Sequence, residues 1–205
     1  MSEEALRQQL VALGASLFQR AFSVGSAGNI SVRLPDGYLM TPTNSSLGRL
    51  EAARLSKLDL AWRHVGGDAP TKEVFLHRAF LDARPDAGAV VHLHSTHATA
   101  ISCLDGAIAP LTPYFVMRAG REIPLVPYYR PGDAAMEPAV HAAARRAKAV
   151  LLANHGPVIC GPTLLDAVNA AEELEEAAKL ALLLRGMNPR ELTPAQVDDL
   201  LRTFG

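Results

Sequence analysis

Several features that mark other classes of protein are scarce in this chain of 205 residues. It has two cysteines, Cys103 and Cys160, so no disulfide framework is expected and the chain fits a reducing cytoplasm. The formal net charge of -1 gives no basic excess for binding nucleic acid. No apolar run is long enough to cross a bilayer, and the acidic residues 1–4 do not resemble a signal peptide. We therefore expect a cytoplasmic protein with no nucleic-acid or membrane partner.

Aromatic residues are also scarce, at 5% of the chain, although 49% of the residues are hydrophobic. The core must therefore be built mainly from alanine, valine and leucine. The sequence contains no internal repeat, low-complexity segment or convincing linker, and its length suits one domain that spans residues 1–205.

Hydrophobic periodicity predicts that helices and strands interleave along the chain. Alternating residues at 30–34, a turn at 35–37 and a second strand at 37–41 predict a β-hairpin. Further strands are predicted at 58–64, 87–91 and 149–152. Helices are predicted at 2–22, from near residue 73, and at 96–102, 131–148, 163–185 and 193–202. This order indicates an α/β fold with a mixed, largely antiparallel sheet covered by helices.

Two histidines follow a predicted buried strand. Residues 87–91 are small and apolar and include two β-branched valines, as is typical of such a strand. Because side chains alternate along a strand, His92 and His94 project to one face while Leu93 turns to the other. Two imidazoles at this spacing suit a metal ion. The alternative is a pair of core or loop histidines that only form hydrogen bonds.

A third histidine, His155, follows another predicted buried strand and precedes Gly156, where the chain must turn. A lone histidine in such a place is commonly structural. Together with His92 and His94, however, it completes a set of three imidazoles that suits Zn²⁺ or a similar divalent ion. A catalytic site of this kind keeps one further position open or filled by a displaceable ligand.

Glu73 is the candidate for that displaceable position. It follows Thr71 and Lys72 at a predicted helix start, where the helix dipole also favours a carboxylate. In the functional interpretation Glu73 binds the resting metal, leaves when substrate chelates, and then serves as general acid or base. The alternative is an ordinary acidic residue of a first helical turn.

Three predicted loops carry polar groups that suit an anion. The residues are Asn29, Thr43, Asn44, Ser45, Thr71 and Lys72. Their hydroxyl, amide and ammonium groups can donate hydrogen bonds, and Lys72 adds a full positive charge. Ordinary turns and helix caps are the alternative explanation for such residues.

The remaining histidines receive structural interpretations. His64 and His141 are expected at the surface, and His77 is expected to pack or to be solvated on the helix after Glu73. His97 lies near the candidate ligands in sequence but follows the strand, so we expect it at most to contact a ligand.

Four motifs in order cover nearly the whole chain. They are Ser26-Ala27-Gly28-Asn29-Ile30-Ser31, Glu73, His92-Leu93-His94-Ser95 and Asn154-His155-Gly156. Each motif alone is weak, but the set in this order is specific and resembles the class II aldolase and adducin family. The resemblance implies a three-layer α/β/α fold around a mostly antiparallel sheet. It also implies a fourfold homotetramer whose active sites lie between subunits.

The resemblance also implies roles for individual residues. His92, His94 and His155 match the metal ligands of the family, and Glu73 matches the ligand that doubles as catalytic acid or base. Tyr114 matches a tyrosine that a neighbouring subunit contributes as a proton donor. Three short segments match the family's phosphate-binding residues, namely Gly28-Asn29, Thr43-Asn44 and Thr71-Lys72.

Two departures from the aldolase pattern bear on the reaction. The aldolases commonly have Thr-Gly and Ser-Ser where this chain has Thr43-Asn44 and Thr71-Lys72. The fuculose-phosphate aldolase and ribulose-phosphate epimerase branches also use a tyrosine near the C-terminus, whereas the last tyrosine here is Tyr129. The motifs instead resemble the branch that decarboxylates 3-oxo-tetronate 4-phosphates. They are the segments 41–48, 70–73, 92–97 and 171–175.

The resemblance therefore implies a carbon–carbon lyase. The expected reaction is metal-dependent decarboxylation of a phosphorylated sugar acid, through an enediolate, to dihydroxyacetone phosphate. Zn²⁺ is the expected ion, with Mn²⁺ or Co²⁺ as alternatives. A class II sugar-phosphate aldolase is the second hypothesis, because cleavage of a different bond gives the same kind of enediolate. A non-catalytic scaffold like the adducin head is the third, although such a module has no need of a metal set.

Overall fold

The computed structural model describes residues 2–104 and 107–204. Eight strands in these ranges are β1 (Asn29–Leu34), β2 (Gly37–Met40), β3 (Ser56–Asp59), β4 (His64–Gly66), β5 (Ala89–His92), β6 (Leu125–Val126), β7 (Ala149–Leu152) and β8 (Gly156–Gly161). The α-helices are α1 (Glu3–Gln19), α2 (Val74–Ala83), α3 (Thr96–Ser102), α4 (Pro113–Ala119), α5 (Glu137–Ala144), α6 (Leu164–Leu183) and α7 (Pro194–Phe204). Short 3-10 helices lie at Leu47–Arg49, Ala52–Arg54 and Ala134–Met136.

All eight strands form one sheet in the order β4-β3-β2-β1-β5-β8-β7-β6. Neighbouring strands are antiparallel except β6 and β7, which are parallel. The predicted hairpin is present as β1 and β2. The prediction of a mixed, mostly antiparallel sheet is therefore confirmed.

The centre of the sheet brings the functional segments together. β5 lies between β1 and β8, and the register places Asn29 opposite His92 and His92 opposite Val158. The N-terminal end of β1, the C-terminal end of β5 and the start of β8 therefore meet at one edge. Side chains from three distant parts of the sequence converge there.

Helices cover both faces of this sheet, as the α/β/α expectation requires. One apolar cluster joins the sheet to α1, α3, α4, α6 and α7, with Leu10, Phe115 and Leu174 fully buried. A second cluster joins the other face to α2 and α5, around Phe80 and Val140. Among the helices of the described residues, none combines the length and apolar character needed to cross a bilayer.

Two predicted elements differ from the structure. The single strand predicted at 58–64 is wrong, because the chain turns between β3 and β4. The Asp59 carboxylate accepts hydrogen bonds from the backbone N–H groups of Ala61 and Arg63, and Trp62 adopts a φ of 61°. The helix predicted from residue 131 begins later, with a 3-10 turn at Ala134–Met136 followed by α5. Asp133 accepts from the Ala135 N–H and caps that turn.

Candidate functional site

Three imidazoles converge at the edge where β1, β5 and β8 meet. The Nε2 atom of His94 lies 3.1 Å from Nε2 of His92 and 3.0 Å from Nε2 of His155. One ring nitrogen from each histidine lies within 4.8 Å of the others, as binding to a single metal ion requires. The structure therefore brings together the three histidines that the sequence analysis selected.

The turn between β7 and β8 seats the third histidine. Gly156 follows His155 with a φ of +152°, and a Cβ atom at that position would lie 2.4 Å from the carbonyl oxygen of Leu93. A side chain would collide with the backbone between His92 and His94. Glycine therefore allows the His155 turn to approach the segment that holds the other two imidazoles.

The hydrogen bonds of His92 fix which of its nitrogens faces the cluster. Its Nδ1 atom lies 2.9 Å from the Pro157 carbonyl oxygen, which can only accept, so Nδ1 carries the proton. The lone pair of Nε2 therefore points toward the other imidazoles. Carbonyl anchoring of this kind is typical of histidines that bind metal.

Electrostatics also favour a cation at this point. Burial lowers the pKa of His92 to about 3 and lowers the pKa values of His94 and His155, so all three rings are neutral at pH 7. Neutral imidazoles held with their Nε2 atoms about 3 Å apart repel one another unless a proton or cation lies between lone pairs. The donor set therefore fits a divalent metal ion.

Glu73 completes the cluster from the other side. It immediately precedes α2, and its carboxylate oxygens lie 3.5 Å from Nε2 of His92 and 3.8 Å from Nε2 of His155. The side chain does not cap the helix, although the Thr71 hydroxyl accepts a hydrogen bond from the Glu73 N–H. Burial alone would raise the pKa of Glu73, but His92 and the hydrogen bond from Asn29 outweigh it and the pKa is lowered. Glu73 is therefore an ionised carboxylate beside three neutral imidazoles.

A cleft of about 300 Å³ opens beside this cluster. Its walls include Glu73, His94 and His155 together with most of the predicted anion-binding residues. The latter are Gly28, Asn29, Thr43, Asn44, Thr71 and Lys72. The cleft also includes Pro131 and Gly132, which the sequence analysis did not select. Three loops that are far apart in sequence thus line one cavity next to the histidines.

Two predicted site residues lie elsewhere in the single chain. Ser45 is outside the residues that line the cleft, and its hydroxyl donates to the Pro42 carbonyl at 2.6 Å. Tyr114 lies in the first turn of α4 and is 61% exposed, also away from the cleft. Its predicted role requires a neighbouring subunit and stays a prediction.

His77 is the residue whose environment the sequence analysis underestimated. It is completely buried, and its two ring nitrogens contact the Ser31 hydroxyl and the Asn29 side chain. Asn29 in turn donates to Glu73 at 2.9 Å. The sequence signal is spacing, since residues 73 and 77 share a helix face and residues 29 and 31 share a strand face, but spacing does not show that these two faces meet.

The other histidines largely match their interpretations. His64 is exposed and His141 is partly buried. His97 lies at the start of α3, where Glu175 accepts hydrogen bonds from its backbone N–H at 2.9 Å and its Nδ1 at 2.8 Å. Glu175 therefore anchors the segment that follows His94.

The sequence of the chain matches a known protein family. The family model described as class II aldolase and adducin N-terminal domain matches residues 8–182. This chain belongs to that family. The fold and the order of motifs agree with the resemblance noted in the sequence.

The relatives of this chain include a decarboxylase and a sugar-phosphate aldolase. A 3-oxo-tetronate 4-phosphate decarboxylase of Pectobacterium atrosepticum is 50% identical over 205 residues, covering 97% of this chain and 94% of the relative. The L-fuculose phosphate aldolase of Escherichia coli K12 is 34% identical over 182 residues, covering 89% and 85%. The crystal structure of YgbL from Klebsiella pneumoniae matches with a TM-score of 0.93 and 48% identity, covering 98% of this class II aldolase family chain and 99% of YgbL.

Proposed function

We propose that this protein is a metal-dependent carbon–carbon lyase that decarboxylates 3-oxo-tetronate 4-phosphate to dihydroxyacetone phosphate. The observation that carries the proposal is the 50% identity, over nearly the full length of both chains, to a protein named for that reaction. The aldolase relative is more distant, at 34% identity. The assembled imidazole and carboxylate groups argue against a non-catalytic scaffold, which would not need them.

His92, His94 and His155 are proposed to hold the divalent ion, with Glu73 as the displaceable fourth ligand. Three imidazoles and a carboxylate suit Zn²⁺, and Mn²⁺ and Co²⁺ are the alternatives. When bound, the ion supplies Lewis acidity that polarises the substrate ketone and stabilises enediolate charge.

The cleft loops are proposed to bind the phosphate. Asn29, Thr43 and Thr71 offer side-chain donors there, and Gly28 and Asn44 offer backbone N–H groups. Lys72 supplies a positive charge for the phosphate or for the carboxylate that leaves as CO₂. Ser45 supports this role indirectly in our proposal, because its hydroxyl bonds to Pro42 at the start of the Thr43 loop.

The proposed reaction requires one bond cleavage and one proton transfer. The bond between C1 and C2 breaks, CO₂ leaves, and the electron pair forms the C2–C3 double bond of the enediolate. A proton is then added at C2 to give dihydroxyacetone phosphate. Glu73 borders the cleft and can deliver this proton after taking one up, and Tyr114 of a neighbouring subunit is the second candidate donor.

The proposal includes a homotetramer with active sites at the subunit boundaries. The support within this chain is the position of Tyr114, which is exposed and lies away from the cleft of its own subunit. A neighbouring subunit would bring this phenol to a cleft that no tyrosine of residues 2–104 and 107–204 of its own chain lines.

The deciding experiment measures CO₂ release and dihydroxyacetone phosphate formation from both stereoisomers of 3-oxo-tetronate 4-phosphate. Release that a chelator abolishes and Zn²⁺, Mn²⁺ or Co²⁺ restores would support the reaction and the cofactor together. If metal-loaded protein released no CO₂ from either stereoisomer, the decarboxylase proposal would be wrong. Aldol cleavage of sugar 1-phosphates, measured on the same preparation, would then test the second hypothesis.

A further inference from the structure

A continuous chain of hydrogen bonds runs from Glu73 into the core. Asn29 Nδ2 lies 2.9 Å from Glu73 Oε2, Asn29 Oδ1 lies 2.5 Å from His77 Nε2, and His77 Nδ1 lies 2.7 Å from the Ser31 hydroxyl. His77 and Ser31 are completely buried, and Asn29 is 7% exposed. Water therefore cannot easily replace any of these bonds.

The secondary structure holds these four side chains in register. Asn29 and Ser31 alternate onto the same face of β1, and Glu73 and His77 lie one helical turn apart at the start of α2. α2 packs on that face of the sheet. Two residues of a strand thus meet two residues of a helix along a single line.

The chemistry of the groups gives the chain of bonds one direction. The Glu73 carboxylate can only accept, so the Asn29 NH₂ group faces it and the Asn29 oxygen faces His77. The His77 Nε2 atom must then carry the proton and donate, which leaves Nδ1 to accept from the Ser31 hydroxyl. Reversing the Asn29 amide would place its oxygen against the carboxylate.

We propose that His77 is a positioning residue, which fixes the Asn29 amide and thereby the Glu73 carboxylate that faces the cleft. This inference rests on the proposed function, in which Glu73 is both a metal ligand and a proton donor. His77 does not line the cleft and has no contact with substrate in this proposal. It acts only through Asn29.

Two amide substitutions distinguish the roles of the two ring nitrogens of His77. The His77→Gln side chain can place an N–H group where Nε2 donates to Asn29. The shorter side chain of His77→Asn can place a polar group only near the Nδ1 position, facing Ser31. Both variants bury one amide in place of one imidazole, so they form a matched pair for folding. Ser31→Ala removes only the outer hydrogen bond and serves as a third comparison.

The expected result is a difference between the members of this pair. In His77→Asn, kcat should fall about 10- to 100-fold, the range for loss of an outer hydrogen-bond partner at a metal site. KM should change much less, and His77→Gln should recover most of the turnover. Ser31→Ala should behave like His77→Gln. Equal turnover in the Asn and Gln variants at matched folded content would overturn the proposal.

A second readout does not depend on any substrate. Retention of Zn²⁺ against a competing chelator should fall in His77→Asn and remain near wild type in His77→Gln, because only the former loses the fixed Glu73 carboxylate. If the wild type released no CO₂, the proposed reaction would fail, but this comparison would still test His77. Equal Zn²⁺ retention in both variants would contradict the positioning role.

Discussion

At the scale of single residues, Glu73 has an unusual combination of surroundings. It is 8% exposed, its two oxygens face His92 and His155 at 3.5 and 3.8 Å, and Asn29 donates to it from behind. A carboxylate held in this way can bind a cation, and it can also carry a proton once the cation has exchanged it for another ligand.

Substitution of Glu73 by glutamine should separate these two roles. The amide keeps the size of the side chain and can still contact Asn29, but it cannot transfer a proton. We expect CO₂ release to fall about 10²- to 10⁴-fold, the range typical of a lost general acid or base. In the absence of a chelator the three imidazoles should still hold the ion, although less tightly than when the Glu73 carboxylate is the fourth ligand.

Measurements of turnover and of bound metal on the same sample check this prediction. Glu176→Gln, which changes a solvent-exposed glutamate of α6, provides the control and should have wild-type turnover. Full activity in Glu73→Gln would remove Glu73 from the mechanism.

The buried histidines also predict how metal-free protein responds to acid. Burial lowers the pKa of His77 to about 4 and of His92 to about 3, from an ordinary value of 6.5. Between these values and 6.5 the unfolded chain binds protons that the folded chain does not, so stability falls as the pH falls. Each of these histidines should lower the free energy of unfolding by up to about 1.4 kcal/mol for each pH unit between 6.5 and its pKa in the folded chain.

Urea unfolding of chelator-treated protein at pH 7, 6 and 5, at one protein concentration, measures this effect. His77→Gln lacks one of the four histidines whose pKa is lowered and should show a shallower dependence on pH. His64→Gln changes an exposed ring and should match the wild type. Constant stability of the metal-free wild type from pH 7 to pH 5 would contradict the prediction.

At the scale of secondary structure, α6 stabilises the segment that follows His94, although the proposed metal ligands lie outside α6. Glu175 of α6 is 6% exposed and accepts hydrogen bonds from the N–H groups of His97 and Ala98 at the start of α3. Burial alone would raise the pKa of Glu175, but the hydrogen bonds from His97 and Ala98 oppose it and the pKa is lowered, so the carboxylate stays ionised. α3 begins two residues after His94, so this contact fixes the path of a proposed metal ligand.

Glu175→Gln should therefore weaken both the fold and metal binding. The amide loses the charge-assisted bonds and brings a buried NH₂ group against backbone donors, which costs about 1–3 kcal/mol of stability. Urea unfolding and chelator competition measure the two effects.

The matched control is Glu172→Gln, three residues earlier on the same helix. Glu172 pairs with Arg20 at the surface, and such pairs contribute about 1 kcal/mol or less. Equal stability of the two variants would show that Glu175 has no special role.

The elements also show what the sequence could predict. The segment around His92 was predictable because alternation places every second residue on one face, and the loops around Asn29, Thr43 and Thr71 were selected through their polar groups. The turn after Asp59 was not predictable, because a hydrogen bond to the Asp59 side chain and the positive φ of Trp62 create it within an apparently continuous strand. The contacts of His77 were missed because they depend on how α2 lies across β1, which no local pattern specifies.

At the scale of the whole molecule, Tyr114 does not line the cleft of its own chain. Tyr114 is the second residue of α4, and the next residue, Phe115, is buried in the cluster shared with α6. Glu73 precedes α2, which packs on the opposite face. A proton donor at Tyr114 therefore requires an assembly in which one copy supplies the phenol to another, as proposed above.

Mixed assemblies test this arrangement directly. Glu73→Gln and Tyr114→Phe are each expected to lose most CO₂ release when assembled alone. If Tyr114 acts across a subunit boundary, equal mixing by unfolding and reassembly should restore about a quarter of the wild-type sites. About half of the sites have a chain with an intact Glu73, and about half of those have a neighbouring chain with an intact Tyr114. If both residues act within one chain, no mixed site contains an intact pair and activity stays at the level of the separate variants. Mixing each variant with itself controls for losses during reassembly, and undiminished turnover of Tyr114→Phe alone would exclude the phenol as the proton donor.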